Sequence, residues 1–262
     1  MKFTYLALKT VAAVWLATAA EAENFTLAVT TWFHNSGFSD VLLPQIKTDT
    51  GLDVNRLVVG TGQLICLGKA SDVDALLVHA RAAEGYRTHR REIIFNDVVV
   101  ISSEAAPAEV QFANTAGGCL GALSDARALF VSRGEDSDTH KRGQVIWKKA
   151  SVTPDPAWCR ELGSGKGATL NIAAAMGVYT LSWRASWLNF IDKDCMAILF
   201  SRDCALQNQY AYLAVDPANH PNVAYKAAFT LENWLMCKKG QSLIGGYTID
   251  GETIFTPNAK VR

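Results

Sequence analysis

Phe25-Thr26-Leu27-Ala28-Val29-Thr30 opens an alternation that decides the fold. The run is rich in β-branched and apolar residues and reads as a strand. Residues 36–50 follow with Phe38, Val41, Leu42 and Ile46 at helical spacing, and Gly51 stands where a helix C-cap belongs. Leu52–Val59 reads as a second strand, Gly60-Thr61-Gly62 opens a second helix through Leu67, and Val73–Val78 is a third strand, apolar on both faces. Strand, helix, strand, helix, strand requires right-handed crossovers and a parallel sheet, so the fold class is α/β.

The same logic extends downstream. Glu92–Ser102 is a long apolar strand, and Ala105-Ala106-Pro107-Ala108 after it reads as the crossing into a second lobe. That lobe should hold a strand near Leu129-Phe130-Val131, helices over 139–149, 168–176 and 182–191, and a strand at Met196–Phe200. Tyr210–Val215 reads as the return strand, and Val223–Cys237 as an amphipathic helix packing back on the first lobe. The expected division is lobe I at 23–104 and 216–262, with lobe II at 105–215. Two crossings then leave a cleft faced by strand C-termini and helix N-termini, where open α/β sheets bind ligands.

The 262 residues carry 25 basic and 25 acidic side chains, 49% hydrophobic residues and only 19% charged ones. This balance excludes the basic footprint of general nucleic-acid binding, and the apolar content excludes disorder. Met1-Lys2, the apolar stretch Tyr5–Ala17 and the small-x-small Ala20-Glu21-Ala22 predict a secretory signal over 1–22, cut after Ala22. Its removal takes Lys2, Lys9 and Glu21 and leaves the chain close to neutral. The expected location is therefore secreted or periplasmic. All six cysteines (Cys66, Cys119, Cys159, Cys195, Cys204 and Cys237) lie beyond the signal. An even count in an exported chain predicts up to three disulfides, with Cys195 and Cys204 the nearest pair and buried free thiols as the alternative.

Three segments combine glycine, hydroxyls and positive charge at predicted helix starts. They are Thr30-Thr31 with Asn35-Ser36-Gly37, then Gly60-Thr61-Gly62, then Ser132-Arg133-Gly134 running to Ser137-Asp138-Thr139. A helix N-terminus offers unpaired N–H groups and the positive end of the helix dipole. Glycine permits close approach, hydroxyls add donors, and arginine supplies a charge-assisted contact, which together describe an oxyanion site. Each segment alone is equally an ordinary cap or turn. No metal-ligand spacing, nucleophile elbow or Walker loop is present, so neither a metal, a cofactor nor an enzyme is expected. His79 reads as a hydrogen-bonded structural residue, and His140 as part of the start of the helix that follows the arginine loop.

Ala28–Gly37, Val59–Gln63, Asp72–His79, Arg90-Arg91-Glu92 with Asn96-Asp97, Phe130–His140, Gly163–Ile172 and Tyr179-Thr180-Leu181-Ser182 together resemble the periplasmic tungstate-binding proteins, across almost the whole mature chain. The resemblance implies a two-lobed periplasmic-binding-protein (Venus-flytrap) fold of type II, with two hinge crossings. It further implies a monomer that captures tungstate or molybdate for the permease of an ABC importer. Carried over, Thr30 and Thr31 match hydroxyls of the family's Thr-Thr-Thr-Ser run, and Gly60, Thr61 and Gly62 its second loop. Ser132, Arg133, Ser137 and Thr139 match its arginine run, while Gly165, Gly167 and Thr169 match a glycine-rich helix start. Departures fall at Val29 and Trp32, which replace a threonine and the serine of the first run, at Lys166 in place of a methionine, and at Trp183 in place of an aspartate. Two tryptophans and a lysine would also suit an organic carboxylate or sulfonate. A third reading is an exported anion-binding protein without a transporter.

Overall fold

The computed structural model describes residues 25–79, 90–105, 107–134, 137–193, 196–201, 203–218 and 220–260. The expected signal over 1–22 lies outside them. The first unit runs β1 (Phe25–Thr30), α1 (Thr31–Asn35), α2 (Phe38–Thr50), β2 (Val54–Val59), α3 (Thr61–Ala70), β3 (Ala75–His79) and β4 (Arg90–Ser103). Then come α4 (Ala116–Asp125), β5 (Phe130–Ser132), α5 (Asp138–Lys149), β6 (Cys159–Glu161), α6 (Lys166–Met176), β7 (Tyr179–Trp183) and α7 (Arg184–Leu188). β8 (Met196–Phe200), β9 (Gln207–Ala214), α8 (Tyr225–Met236) and α9 (Lys238–Gly246) follow, with short strands β10 (Thr248–Ile249), β11 (Glu252–Thr253) and β12 (Thr256–Pro257) closing the chain.

Strand β4 is the spine. Its 14 residues span about 46 Å at ~3.3 Å per residue, enough to serve two sheets in succession. Arg90–Asp97 pairs with β9, and Ile94 and Phe95 also pair with β12. From Val98 onward the partners are β7 and β8. The first sheet therefore runs β2-β1-β3-β9-β4, and the second β4-β7-β5-β6. β1, β2 and β3 are parallel, as are β5, β6 and β7.

The strand partners change earlier than the sequence suggests. They switch between Asp97 and Val98, not at residue 104, because one uninterrupted apolar strand continues straight through the change. β9 lies antiparallel between β3 and β4 in the first sheet, so the return precedes residue 215. The helix expected over 182–191 is a strand to Trp183 and then a helix over Arg184–Leu188. Every residue of β7 is buried, so it shows no alternation to betray it as a strand. α8 does pack back on the first sheet: Tyr212 donates its hydroxyl proton to the Ala228 carbonyl at 2.8 Å, and Arg91 Nε donates to the buried Glu232 carboxylate at 2.8 Å.

The disulfide expectation is not met among the described residues. Cys66, Cys119, Cys159, Cys204 and Cys237 are free, and Cys195 lies outside the described residues. They sit on separate elements, with Cys119 inside the core of α4 and Cys66 exposed on α3. Burial pushes the Cys119 thiol up to about 12 and the Cys159 thiol up to about 11, so both behave as inert apolar groups. Among the described residues no helix is long and apolar enough to cross a membrane.

Candidate functional site

Four strands deliver their C-terminal ends to one place. β1 ends at Thr30, β3 at His79, β5 at Ser132 and β7 at Trp183. Helix starts follow: α1 at Thr31, α3 at Thr61, α5 at Asp138 and α6 at Lys166. The residues preceding α1, α3 and α6 (Thr30, Gly60 and Gly165) make no side-chain cap, so the first-turn N–H groups stay available. A Cβ built at Gly60, Gly62, Gly165 or Gly167 meets no atom within 4 Å, which leaves open space in front of those amides.

A cavity of ≈ 200 Å³ lies between these ends, lined by Thr61, His79 and Asn208 from the first sheet and by Asp138, Arg142 and Trp183 from the second. Two larger cavities, of ≈ 380 and ≈ 350 Å³, lie elsewhere. The first contains the Asp97–Arg184 pair, whose two hydrogen bonds of 2.8 and 2.6 Å already satisfy both charges. The second is walled by residues of the second half of the chain only, among them Ser132, His140 and Glu161. The smallest is the one that brings His79 and Trp183, two strand C-terminal ends, to a common wall.

The polar atoms around it are unequally served. His79 is satisfied on both ring nitrogens, with Nδ1 2.9 Å from Asn208 Oδ1 and Nε2 3.0 Å from the Tyr210 hydroxyl. Asn208 Nδ2 in turn donates to Asn96 Oδ1 at 3.2 Å. Burial holds the imidazole below its ordinary value. Thr30 sits beside that tyrosine hydroxyl, yet its Oγ1 is buried and makes no hydrogen bond of ordinary geometry. Thr139 Oγ1, Trp32 Nε1 and Trp183 Nε1 are likewise buried without a partner. Buried polar groups in folded proteins are nearly always paired, so a cluster of unpaired donors at one cleft indicates a missing acceptor.

Besides Lys141 and Arg142 of the lining, two further cations lie close by. Burial, together with the neighbouring Arg133 charge, lowers the Lys166 ammonium from its ordinary value, while Asp138 acts in the opposite direction. Arg133 Nε donates to the Ser164 carbonyl at 3.2 Å, which leaves the rest of its guanidinium fork for other acceptors. The expected donor-only composition needs one correction. Asp138 lines the cavity, with its Oδ2 3.9 Å from His79 Nε2 and its side chain more than half exposed.

The structure separates the residues expected from sequence. Thr61 and Trp183 line the cavity, Trp32 packs near Trp183, Lys166 acts on His79 and neighbours Arg133, Thr30 sits beside Tyr210, and Thr139 follows Asp138 in the first turn of α5. Thr31 opens α1 with an exposed side chain. Ser132 turns away: its Oγ is 2.8 Å from His140 Nδ1, and it lines the neighbouring cavity. Ser137 caps α5 by accepting the His140 N–H at 3.2 Å. Thr169 is buried and braces the start of α6, its hydroxyl bonded to the Gly165 carbonyl and 2.9 Å from Ser164 Oγ. Asn208 and Tyr210 carry no motif, whereas His79 ends the Asp72–His79 stretch and Asp138 lies inside the arginine run, though neither was singled out for the site.

A family profile for the PBP superfamily domain matches residues 17–239. The tungstate-binding protein TupA of Peptoclostridium acidaminophilum is 35% identical, covering 90% of this chain and 86% of that protein. The solved structure of the tungstate-binding protein TupA from Desulfovibrio alaskensis G20 is 37% identical with a TM-score of 0.85, over 90% of this chain and 99% of that one. This chain belongs to the family of tungstate-binding proteins. A solved structure of the tungstate ABC transporter from Geobacter sulfurreducens is also similar, 34% identical with a TM-score of 0.73, over 86% of this chain and 99% of that one. Membership fixes the architecture as the two-lobed periplasmic-binding-protein fold of type II, in which β9 is the strand inserted between β3 and β4. The family's role is solute binding.

Proposed function

We propose that the chain is an exported solute-binding protein that captures a small, fully deprotonated oxyanion of the tungstate or molybdate type. It would then present that anion as a monomer to the permease of an ABC importer. The observation that supports this reading is the buried, partnerless Thr139 Oγ1 in the first turn of α5, with Thr30 Oγ1 at the end of β1 having only the Tyr210 hydroxyl beside it. Arg133 and Lys166 neighbour each other, and Lys166 lies close enough to His79 of the cavity wall to act on its charge. An anion with only acceptor oxygens would satisfy both hydroxyls and the uncapped amides of α3 and α6 together. Lobe closure would exclude water and strengthen every one of these contacts.

Trp183 on the cavity wall favours a second reading, an organic carboxylate or sulfonate stacked on the indole. Calorimetry with tungstate, molybdate, sulfate and phosphate, alongside a panel of aromatic and aliphatic carboxylates and sulfonates, separates the two. Heat from the inorganic dianions supports the first reading, and heat from the organic set alone replaces it with the second.

A further inference from the structure

We infer that Trp32 and Trp183 hold the anion through their indole N–H groups and so act as specificity-determining donors. This inference rests on the binding reading above and deepens it. Trp32 is 5% exposed and Trp183 2% exposed, and neither Nε1 has a partner. That is unusual for a buried N–H, and the molecule itself provides the contrast, because Trp234 Nε1 donates to Asp49 Oδ2 at 2.9 Å.

The two indoles come from different sheets. Trp183 is the last residue of β7, opposite Val98 where β4 enters the second sheet, and it lines the cavity beside His79. Trp32 stands in the first turn of α1, directly after β1. Their ring centroids are 6.2 Å apart. Trp32 is stacked on Tyr210 at 5.0 Å and meets Phe255 edge-on at 5.5 Å. With neighbours on these sides, the ring cannot turn its N–H to another acceptor. The donors are therefore preorganised, and they lie where the first and second sheets meet.

Their chemistry differs from that of a hydroxyl. An O–H group both donates and accepts, so it can receive the proton of a partly protonated oxyanion. An indole N–H only donates. An indole in place of a serine hydroxyl at Trp32, and in place of an aspartate carboxylate at Trp183, biases the cleft toward anions whose oxygens are all acceptors, and against hydrogen phosphate.

The test uses the mature full chain labelled with ¹⁵N at tryptophan, titrated with sodium tungstate while calorimetry follows the same titration. Trp32→Phe and Trp183→Phe spectra assign the two signals. Both indole N–H signals should move downfield and exchange more slowly with solvent, while the already bonded Trp234 signal stays in place. Replacing the Trp183 indole by benzothiophene, which keeps the shape and removes the N–H, should weaken tungstate binding by about tenfold or more with an unchanged melting temperature. Heat of binding with either indole signal unmoved, or full affinity in the benzothiophene protein, overturns the inference alone. No heat with tungstate, molybdate, sulfate or phosphate overturns the oxyanion reading and the inference with it.

Discussion

Thr139→Val should make the empty protein more stable and a poorer binder. Thr139 lies in the first turn of α5, 3% exposed, with a hydroxyl that finds no acceptor. Leaving such a group unpaired costs about 1–3 kcal/mol. Valine keeps the shape, removes the hydroxyl, and has a helix propensity close to that of threonine. If about 1 kcal/mol is recovered, a chain of this size melts roughly 2–4 °C higher. The bound state changes in the opposite direction. A hydrogen bond to an ionised acceptor contributes about 1.5–3 kcal/mol, so tungstate affinity should fall by roughly 10- to 150-fold. Scanning calorimetry of the empty protein and titration calorimetry with tungstate read the two effects separately. General damage lowers both quantities, and only an orphaned ligand donor moves them apart. A lower melting temperature in the empty variant would show that the hydroxyl is already satisfied, and unchanged affinity would remove it from the site; either refutes the reasoning.

Three further outcomes follow from the same geometry. Arg133→Ala should cost about 2–5 kcal/mol of binding free energy with the far-ultraviolet circular dichroism unchanged; near-normal tungstate affinity would show that the guanidinium serves only the Ser164 carbonyl. Lys166 titrates below its ordinary value because burial and Arg133 disfavour its charge, and a bound dianion favours that charge again. Tungstate should therefore be taken up with a proton in alkaline buffer, and affinity should fall as pH rises through the lowered value toward 10.5. Binding heats independent of the buffer's ionisation enthalpy in that range would contradict it. Arg184→Ala strands the largely buried Asp97 at the point where β4 changes sheets. It should destabilise the fold by about 3–5 kcal/mol, read as a reduced denaturation midpoint, and a change under 1 kcal/mol would show the pair to be dispensable.

The fold was legible in the sequence where local signals agree. β1, α2 with its Gly51 cap, α3 after Gly60, α5 and α8 all lie where periodicity and capping put them. It was obscured where burial removes the alternation, as in β7, and where pairing is long-range, as in β9, whose Tyr212 pairs with Leu77 of β3 and Arg91 of β4. The site follows the same rule. Thr30, Thr61 and Arg133 were visible because helix starts carry local residue signatures. Ser132 was misleading because its partner, His140, lies beyond the following loop in the first turn of α5 and draws its hydroxyl into another cavity. Tyr210 and Asn208 were invisible because nothing within their own strand says that it runs beside His79.

The claim that decides the account is that the unpaired donors await an anion of acceptor oxygens alone. Titration of the signal-free chain at neutral pH with tungstate, and separately with phosphate, tests it most directly. The account predicts stoichiometric heat with tungstate, tight saturation, and at most weak binding of hydrogen phosphate. Equal affinity for the two anions, or no heat with tungstate, would contradict it.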